Sequence, residues 1–468
     1  MEPVHMGIIS IIPAIIAIAL SFYTRNTVIS LMIAIITGTI LAGQGILGFP
    51  ALLRSSIGTS GFAWVMLLNT FIGVLVAFFQ KTGAIQGFSQ YMQDRNLSRK
   101  AITLVAWLLG FVVYFSDSFS PLFVGSTMRN ISDKAKISRE KLAYIADSGA
   151  APVSVIVPIT GWAAFLSGLA IGVGNIVTQD DAMKLFIQAI PFNLYALITI
   201  VFVGLVAGGV IKDFGPMKKA EDRAMNEGKV LRDGAIPLVG KELTEMEAYP
   251  DIKPRIFLNF LFPVMLIIAI ALGTYVLTRS AKTMEAFLLV IIFMFVSMLI
   301  QGIPMTVIMD AATNGIKGAV PAIMILALAY TIKSLSVDMG TAEFIISTTE
   351  GFLTPQILPA IIFLIAAIVA FSTGTSWGTF AITMPIALPL AFNFSGGVVT
   401  PLVMASFAAV AGGGVFGDHC SPLSDTTILA STGAAADHID HVKTQLPYAL
   451  ITGGIALVAY LVIGFTSF

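Results

Sequence analysis

Apolar stretches recur along the whole chain, and most have about the length that crosses a bilayer. About 20 consecutive apolar helical residues span the ~30 Å of hydrocarbon in a membrane. The hydropathy pattern predicts ten crossings, near residues 6–23, 27–47, 61–80, 142–170, 185–211, 256–278, 283–302, 318–336, 400–435 and 446–466. The pattern therefore predicts an all-α polytopic membrane protein, without a soluble domain of ordinary size.

Two further apolar stretches, 101–126 and 356–392, are each interrupted by a polar centre. The centres read FSDSFSPLF at 115–123 and FSTGTSWGTF at 371–380. Neither stretch has the uninterrupted length of two crossings. Non-helical backbone at membrane depth survives only where protein or a water-filled cavity satisfies its polar groups. We therefore predict two re-entrant hairpins.

The composition agrees with a membrane protein, since 57% of the residues are hydrophobic and 11% are charged, with a mean hydropathy of +0.92. Basic residues sort unevenly between the two faces that the predicted elements define. Of the 26 Lys and Arg residues, 21 fall on one face and 5 on the other. Because loops rich in Lys and Arg stay inside the cell, the rich face should be cytoplasmic, with both termini outside.

A segment at 212–255 divides the chain into two similar halves. In one matching pair, VVYFSDSFSPLF at 112–123 corresponds to IVAFSTGTSWGT at 368–379. With five crossings in each half, the second copy must be inverted, and inverted repeats are typical of secondary transporters. Chance similarity between apolar segments is the alternative explanation.

The predicted organisation follows from this symmetry. The first inverted repeat has five helices and the hairpin 101–126, a cytoplasmic linker joins the halves, and the second repeat has five helices and the hairpin 356–392. The three parts are expected at 1–211, 212–255 and 256–468. The linker carries nine basic and nine acidic residues, which favours a solvated segment over a lipid-binding patch.

Each half contributes one hairpin centre and one broken helix, so four polar segments should meet near the middle of the membrane. Proline removes a backbone donor and glycine lets the chain unwind, which frees carbonyl groups beside polar side chains. Such oxygen ligands suit a desolvated alkali ion, and facing helix N-termini suit an anion. The carboxylates predicted to bind ions or protons are Asp117, Asp147, Asp418 and Asp425. The hydroxyl groups predicted to bind the substrate are Ser116, Ser118, Ser120, Ser148, Ser154, Ser372, Thr373, Thr375, Ser376, Ser421, Ser424 and Thr426.

Sodium is expected to bind at Asp418, Ser421 and Asp425, as a transported or coupling ion, and no other cofactor is expected. A buried carboxylate is costly to keep charged unless a cation or a proton neutralises it. One carboxylate that holds either sodium or a proton is the simplest basis for exchanging the two. The sequence lacks HExxH, spaced cysteine pairs and a Walker loop, and Cys420 is its single cysteine. These absences disfavour an enzyme or a disulfide framework.

Several of these residues also have structural explanations. Asp147 follows Arg139 and Glu140 closely, as a helix-end carboxylate at the cytoplasmic surface would. Asp117 at a hairpin turn can accept a hydrogen bond from its own backbone. His419 can orient a neighbouring carboxylate.

Other polar and aromatic residues are expected outside the ion site. His438 and His441, in DHIDHVKTQ, are predicted to lie in a cytoplasmic loop with the neighbouring aspartates as solvated partners. Lys333 is predicted to be a surface charge beside a loop. Trp162 and Trp377 can serve as packing residues or as substrate contacts.

The stretch GDHCSPLSDTTILAST at 417–432, followed by DHIDHVKTQLPYAL, resembles the signature region of the NhaC sodium/proton antiporter family. FSTGTSWGTF resembles the second hairpin motif of that family, and the likeness extends over nearly the whole chain. The resemblance implies inverted repeats with hairpins, and a protein of the cytoplasmic (inner) membrane that couples sodium to protons. Some members are similar to malate/lactate exchangers. The residues carried over are Asp418, Ser421, Ser424, Asp425 and Thr426 in the signature, and Ser372, Thr373, Thr375 and Ser376 in the hairpin.

The leading hypothesis is secondary exchange of sodium for protons. The alternative is sodium- or proton-coupled transport or exchange of a small carboxylate, such as malate or lactate, or of an amino acid. Hydroxyl-rich hairpins can hydrogen-bond a carboxylate directly, whereas the lack of arginine in the four segments slightly disfavours a dicarboxylate. A channel, which would conduct downhill without proton coupling, is a further alternative. A membrane enzyme is a third class, for which no nucleophile and base arrangement is recognisable.

The expected partners are sodium, protons and the lipid bilayer, joined by a small organic anion or amino acid under the alternative. No nucleic acid is expected, because the formal net charge is zero and no basic tail is present. The oligomeric state is left open, with a homodimer as one option.

Overall fold

The fold is seen in a computed structural model, which describes residues 5–24, 26–94, 97–114, 117–158, 160–239, 246–250, 252–278, 282–349 and 354–466. These residues form helices and connections, without a strand among them. An isolated β-bridge pairs Pro237 with Asp437. The protein is therefore an all-α membrane protein, as the apolar pattern predicts.

The first half contains short and long helices in alternation. They are α1 Ile12–Thr24, α2 Thr27–Leu41, α3 Gly48–Ile57, α4 Ser60–Lys81, α5 Ala84–Asp94, α6 Arg99–Val112, α7 Phe119–Lys134, α8 Arg139–Ser148, α9 Ala151–Ser154, α10 Gly161–Gly168, α11 Gln179–Ala189 and α12 Leu194–Ala207. Two 3-10 turns, Gly7–Ile11 and Ile190–Phe192, precede α1 and α12.

Helix α13, Gly215–Glu227, lies in the segment between the halves, and a π-helical turn at Phe257–Leu261 begins the second half. The helices that follow are α14 Phe262–Thr278, α15 Thr283–Ile300, α16 Met305–Asp338, α17 Thr341–Thr349, α18 Leu358–Thr373, α19 Ser376–Phe394, α20 Pro401–Cys420, α21 Asp425–Ala434 and α22 His438–Thr466.

Six helices in the described ranges are long and apolar enough to cross a bilayer. They are α4, α14 with the π-helical turn before it, α16, α19, α20 and α22. Taken together, α11 and α12 would add a seventh crossing, bent by 49° at their junction. Other apolar helices, among them α2 and α18, are shorter, so the count of ten crossings stays a prediction.

The four polar segments singled out in the sequence coincide with helix interruptions. Helix α6 ends at Val112 and α7 begins at Phe119, and 149–150 separate α8 from α9. Residues 374–375 separate α18 from α19, and 421–424 separate α20 from α21. Helices flank each interruption, so the backbone groups at the helix ends must find partners outside the regular helical pattern.

Glycine lets the broken helix α20 pack closely on α18. Gly413 and Gly417 lie against the backbone of Phe363 and Ala367, where any side chain would collide. Such small-residue contacts are how helices in membranes approach one another. The two helices therefore fix the positions of their adjoining breaks.

The segment at 212–255 was expected to be solvated, but α13 within it docks on the transmembrane helices. Lys141 at the start of α8 pairs with Asp213 at 2.7 Å, and Arg223 of α13 pairs with Glu140 at 2.9 Å. Glu140 is only 1% exposed. The contacts hold the start of α8 against the connecting segment.

Candidate functional site

The break between α20 and α21 holds a buried carboxylate, Asp418, in the last turn of α20. Asp418 is 2% exposed. Its Oδ2 accepts hydrogen bonds from the Ser376 hydroxyl at 2.9 Å and the Thr426 hydroxyl at 3.3 Å. Its Oδ1 is buried and has no hydrogen-bond partner among the described residues. A buried carboxylate oxygen in this position can take up a proton, a water molecule or an ion.

Local hydrogen bonds fix the shape of this break. The Ser421 hydroxyl donates to the Phe371 carbonyl at 2.7 Å and accepts from the Leu423 amide at 3.1 Å. Ser424 caps α21 by accepting from the Thr427 amide at 3.3 Å. Ser421, predicted as a sodium ligand, thus also ties the break to the end of α18.

The neighbouring break between α18 and α19 is pressed directly onto this one. Gly374 has φ +68°, which glycine adopts without steric cost. A Cβ atom at Gly374 would come within 2.6 Å of the Leu423 carbonyl oxygen. Glycine is therefore required there for both conformation and space.

Asp425, the first residue of α21, lies half-buried beside other charges. It interacts electrostatically with Asp418, Asp117 and Lys333. Lys333 of α16 places its ammonium 5.3 Å from the centre of the Tyr330 ring. Lys333, expected as a surface charge beside a loop, lies within α16 and is half-buried.

The break between α8 and α9 holds a second carboxylate, Asp147, which is fully buried. Its Oδ2 accepts a 2.6 Å hydrogen bond from the Gln445 amide and lies 3.5 Å from His441 Nε2. His419 Nε2 lies 3.3 Å from the Asp147 carbonyl oxygen, and Tyr195 bonds the other nitrogen of His419 at 3.0 Å. This burial excludes the alternative that Asp147 is a helix-end carboxylate at the cytoplasmic surface.

The two histidines assigned to a solvated loop are in fact buried at the start of α22. His438 is 2% exposed and His441 is 0% exposed. His438 Nε2 lies 2.8 Å from the Pro422 carbonyl oxygen, and its Nδ1 lies 3.0 Å from the Ser431 hydroxyl. The loop prediction fails because α22 begins at His438 and its first turn packs beneath α21.

Asp117 occupies the first hairpin segment, just before α7. The indole Nε1 of Trp377 donates to its Oδ2 at 3.4 Å. Ser118 and Ser120 beside it are buried, and the Ser120 hydroxyl has no hydrogen-bond partner in the described ranges. Ser116 lies outside the described residues.

Several predicted hydroxyls have structural partners. Ser372 and Thr373 donate to carbonyls of their own helix, at Ile368 and Val369, both at 2.8 Å. Thr375 caps α19 by accepting from the Gly378 amide at 3.4 Å. Of the hairpin hydroxyls, Ser376 is therefore the one that reaches a carboxylate.

The four breaks meet through side chains that cross from one to the next. The bridging hydrogen bonds are Ser154 Oγ to the Tyr114 carbonyl at 2.7 Å, Trp377 Nε1 to Asp117, Ser376 Oγ to Asp418 and His419 Nε2 to the Asp147 carbonyl. Ser148, next to Asp147, is buried as well. The structure thus brings the sequence-predicted residues into one polar centre.

In the described part of the chain, no group of three or more His, Cys, Asp or Glu residues is arranged to hold a metal ion. A sodium ion needs no such cluster, because hydroxyl and carbonyl oxygens with a single carboxylate suit a hard cation. The polar centre offers that kind of ligand at Asp418.

An all-α membrane protein whose broken helices gather carboxylates and hydroxyls has the architecture of a secondary transporter. The chain belongs to the Na+/H+ antiporter family, whose model matches residues 161–465. This confirms the resemblance to the NhaC sodium/proton antiporters.

The relatives of this chain include other antiporters. An uncharacterized protein of Haemophilus influenzae is 33% identical, over 98% of this chain and 91% of that protein. The arginine/ornithine antiporter of Halobacterium salinarum is 32% identical over 33% of this chain and 31% of its own. The malate-2H(+)/Na(+)-lactate antiporter of Bacillus subtilis is 38% identical over 15% of this chain and 14% of its own. Membership of the Na+/H+ antiporter family, together with the apolar helices, makes the chain a multi-pass membrane antiporter.

Proposed function

We propose that this antiporter exchanges sodium for protons across the cytoplasmic membrane, and that Asp418 is the carboxylate for which the two ions compete. The observation that carries the proposal is the buried, unpartnered Oδ1 of Asp418 beside the hydroxyls of Ser376 and Thr426. A proton on Oδ1 would neutralise the carboxylate, and so would a sodium ion. Because either suffices, binding one releases the other.

The surroundings of Asp418 supply further ligands for sodium. Helices α18 and α20 end at this point, and the carbonyl groups of helix C-termini carry partial negative charge that favours a cation. The hydroxyls of Ser376 and Thr426 can turn their lone pairs toward an ion, and Ser421 and Asp425 border the same break. These residues would hold sodium as cargo, without a permanent metal site.

Asp147 is proposed to serve the proton rather than the sodium ion. Gln445 donates an N–H to its carboxylate and His441 lies within 3.5 Å of it, while a hydroxyl contact like that of Ser376 is missing from its described surroundings. Amide N–H groups donate hydrogen bonds and cannot ligate a cation. Imidazole is the side chain best suited to pass protons near neutral pH.

The membrane arrangement proposed for this function has ten crossings, two re-entrant hairpins and inverted repeats at 1–211 and 256–468. Support comes from helix interruptions at the predicted hairpin centre and the predicted broken helix of each half. The distribution of 21 and 5 basic residues supports external termini and a cytoplasmic linker at 212–255.

A second candidate is coupled exchange of a small organic solute, with sodium or protons as the driving ion. The relatives from Halobacterium and Bacillus are an arginine/ornithine antiporter and a malate-2H(+)/Na(+)-lactate antiporter, which favours this candidate. In that case the hydroxyls of the polar centre would contact the solute.

The test is proton flux in proteoliposomes that contain the purified chain and a pH-sensitive dye. Sodium is added alone, and then with malate, lactate or a panel of amino acids. Proton movement on sodium alone is the expected result. Movement that requires an organic solute would replace sodium/proton exchange with the second candidate.

A further inference from the structure

A cavity of about 330 Å³ lies where the start of α6 and the end of α12 meet the connecting helix α13. Five basic and three acidic side chains line it, together with apolar side chains such as Val206 and Ile211. The residues of the polar centre described above do not line this cavity. We call it the linker cavity.

Ion pairs account for the three acidic groups of the linker cavity. The pairs are Arg99–Glu221 and Lys141–Asp213, both at 2.7 Å, and Lys218–Asp222 within α13. Each carboxylate therefore has a cation of its own. Two of the five basic side chains are left over.

The two remaining cations are Lys100 of α6 and Lys212, which follows α12. Both side chains are exposed, and neither ammonium group makes an ion pair or a hydrogen bond within the described ranges. The Nζ atom of Lys100 lies 3.2 Å from the position that a Cβ atom at Gly209 would take. The carbonyl groups of residues 204–207, at the end of α12, already accept hydrogen bonds from other donors. The linker cavity therefore holds an excess of two positive charges.

The position of the linker cavity suits a lipid headgroup better than a dissolved anion. Helix α12 is apolar almost throughout, so its end at Ala207 marks the boundary of the hydrocarbon. Beside the cavity, Val210 is 72% exposed and Met225 is 41% exposed. Both free lysines lie on the face that the basic residues mark as cytoplasmic, where the membrane surface is anionic. An anionic phospholipid fits this arrangement, because its phosphate would contact the lysines and its acyl chains the apolar surface.

We propose that the linker cavity binds the phosphate headgroup of an anionic phospholipid, with Lys100 and Lys212 as the charged contacts. The residue counts of 212–255 favoured a solvated segment, because its basic and acidic residues are equal in number. Docking of α13 changes this balance, since the acidic groups at the cavity are paired and α6 adds Lys100. The assignment goes beyond sodium/proton exchange and does not depend on it.

The test measures binding of phosphatidylglycerol to the purified full chain by native mass spectrometry. Phosphatidylcholine with the same acyl chains is the comparison, because it has a phosphate but no net charge. Phosphatidylglycerol should bind at least about tenfold tighter than phosphatidylcholine. Equal binding of the two lipids would overturn the proposal.

Inorganic phosphate, added as a competitor, separates a lipid site from a site for the free ion. Phosphatidylglycerol should stay bound in the presence of an equimolar amount of phosphate, because the free ion lacks the acyl chains that contact the apolar surface. Displacement of the lipid by equimolar phosphate would overturn the assignment to a lipid.

Replacing the two free lysines locates the bound lipid. The double variant Lys100→Gln with Lys212→Gln should weaken phosphatidylglycerol binding by about tenfold or more, since each basic residue near an anionic lipid adds to the attraction. The matched control, Lys219→Gln with Lys253→Gln, removes the same charge from exposed positions outside the cavity. The control should bind phosphatidylglycerol within about threefold of the wild type, because exposed charges at a distance are screened.

Both double variants are first checked for a single peak in size-exclusion chromatography, so that misfolded protein is not scored. Wild-type lipid binding by the Lys100 and Lys212 double variant, or an equal loss in the control, would overturn the assignment. The outcome is distinct from that of the sodium/proton proposal, because lipid binding is scored without an ion gradient.

Discussion

Different side chains surround the aspartates of the two broken helices. Asp418 receives hydroxyl groups from Ser376 and Thr426 and keeps one carboxylate oxygen open. Asp147 receives the amide of Gln445 and lies among the imidazoles of α20 and α22. Both side chains are buried, and each keeps its Oδ1 without a hydrogen-bond partner among the described residues. The difference lies in the bonded oxygen, which accepts from hydroxyl groups at Asp418 and from an amide N–H beside an imidazole at Asp147.

The difference shows that equivalent positions in the two halves need not perform equivalent chemistry. A hydroxyl both donates and accepts, so it can bond a carboxylate in one state and a sodium ion in the next. An amide N–H can only donate. We therefore expect sodium affinity to depend on the Asp418 break and proton transfer to depend on both breaks.

Exchanging each aspartate for asparagine should separate the two breaks most sharply. Asp418→Asn should lower sodium binding and sodium-driven proton flux by about 100-fold or more, because a neutral amide cannot balance the ion. Asp147→Asn should keep sodium affinity within about threefold and lower proton flux by about tenfold or more. Binding of radioactive sodium and flux in proteoliposomes are measured on the same preparations. Equal loss of sodium binding in both variants would remove the distinction.

A single hydroxyl tests whether Ser376 belongs to the sodium site. Ser376→Ala should weaken sodium binding by about tenfold, since one hydrogen bond to a charged group contributes about 1.5–3 kcal/mol. Ser372→Ala is the matched control on the same hairpin, because the Ser372 hydroxyl bonds its own helix carbonyl. Unchanged affinity in Ser376→Ala, or the same loss in Ser372→Ala, would argue against a specific role.

The amide beside Asp147 should matter for stability. Gln445 also donates to the His419 carbonyl at 2.8 Å. Gln445→Leu therefore removes a hydrogen-bond donor from two buried acceptors, the Asp147 carboxylate and the His419 carbonyl. We expect a loss of about 2 kcal/mol in the free energy of unfolding and little change in sodium affinity. Thermal unfolding in detergent measures the first. Gln188→Leu, at an exposed position of α11, is the control, and an equal fall in its stability would show that the effect is not specific.

The smallest expected effect comes from the contact that tethers the start of α22. Arg232 pairs with Asp440 at 2.7 Å, and its side chain is 30% exposed. Arg232→Ala should therefore cost no more than about 1 kcal/mol of stability, and less in high salt. Sodium affinity should stay at the wild-type value. A tenfold change in sodium affinity would mean that the Arg232–Asp440 pair influences the break at Asp418. That result would contradict the separate roles of the two breaks.

The helix breaks are readable from the sequence because their signals are local. Polar and small residues interrupt apolar runs at 113–118, 149–150, 374–375 and 421–424, and the helices of the structure stop at those points. Which side chains meet at the site depends on contacts between distant segments, and the sequence pattern does not predict these contacts.

Gln445 and Asp147 are 298 residues apart and meet only through the packing of α22 on α8. No residue pattern around Gln445 marks it as a partner of a carboxylate. His441 was assigned to a solvated loop because charged residues surround it, and burial under α21 reverses that assignment.

The most direct test of the account is sodium affinity as a function of pH, measured with radioactive sodium on the purified wild type between about pH 6 and pH 9. If a proton and sodium compete for Asp418, the Kd for sodium should fall by up to about tenfold for each pH unit while the site is protonated. Asp418→Asn should show no such dependence. A wild-type affinity that stays constant across this range would contradict competition at Asp418.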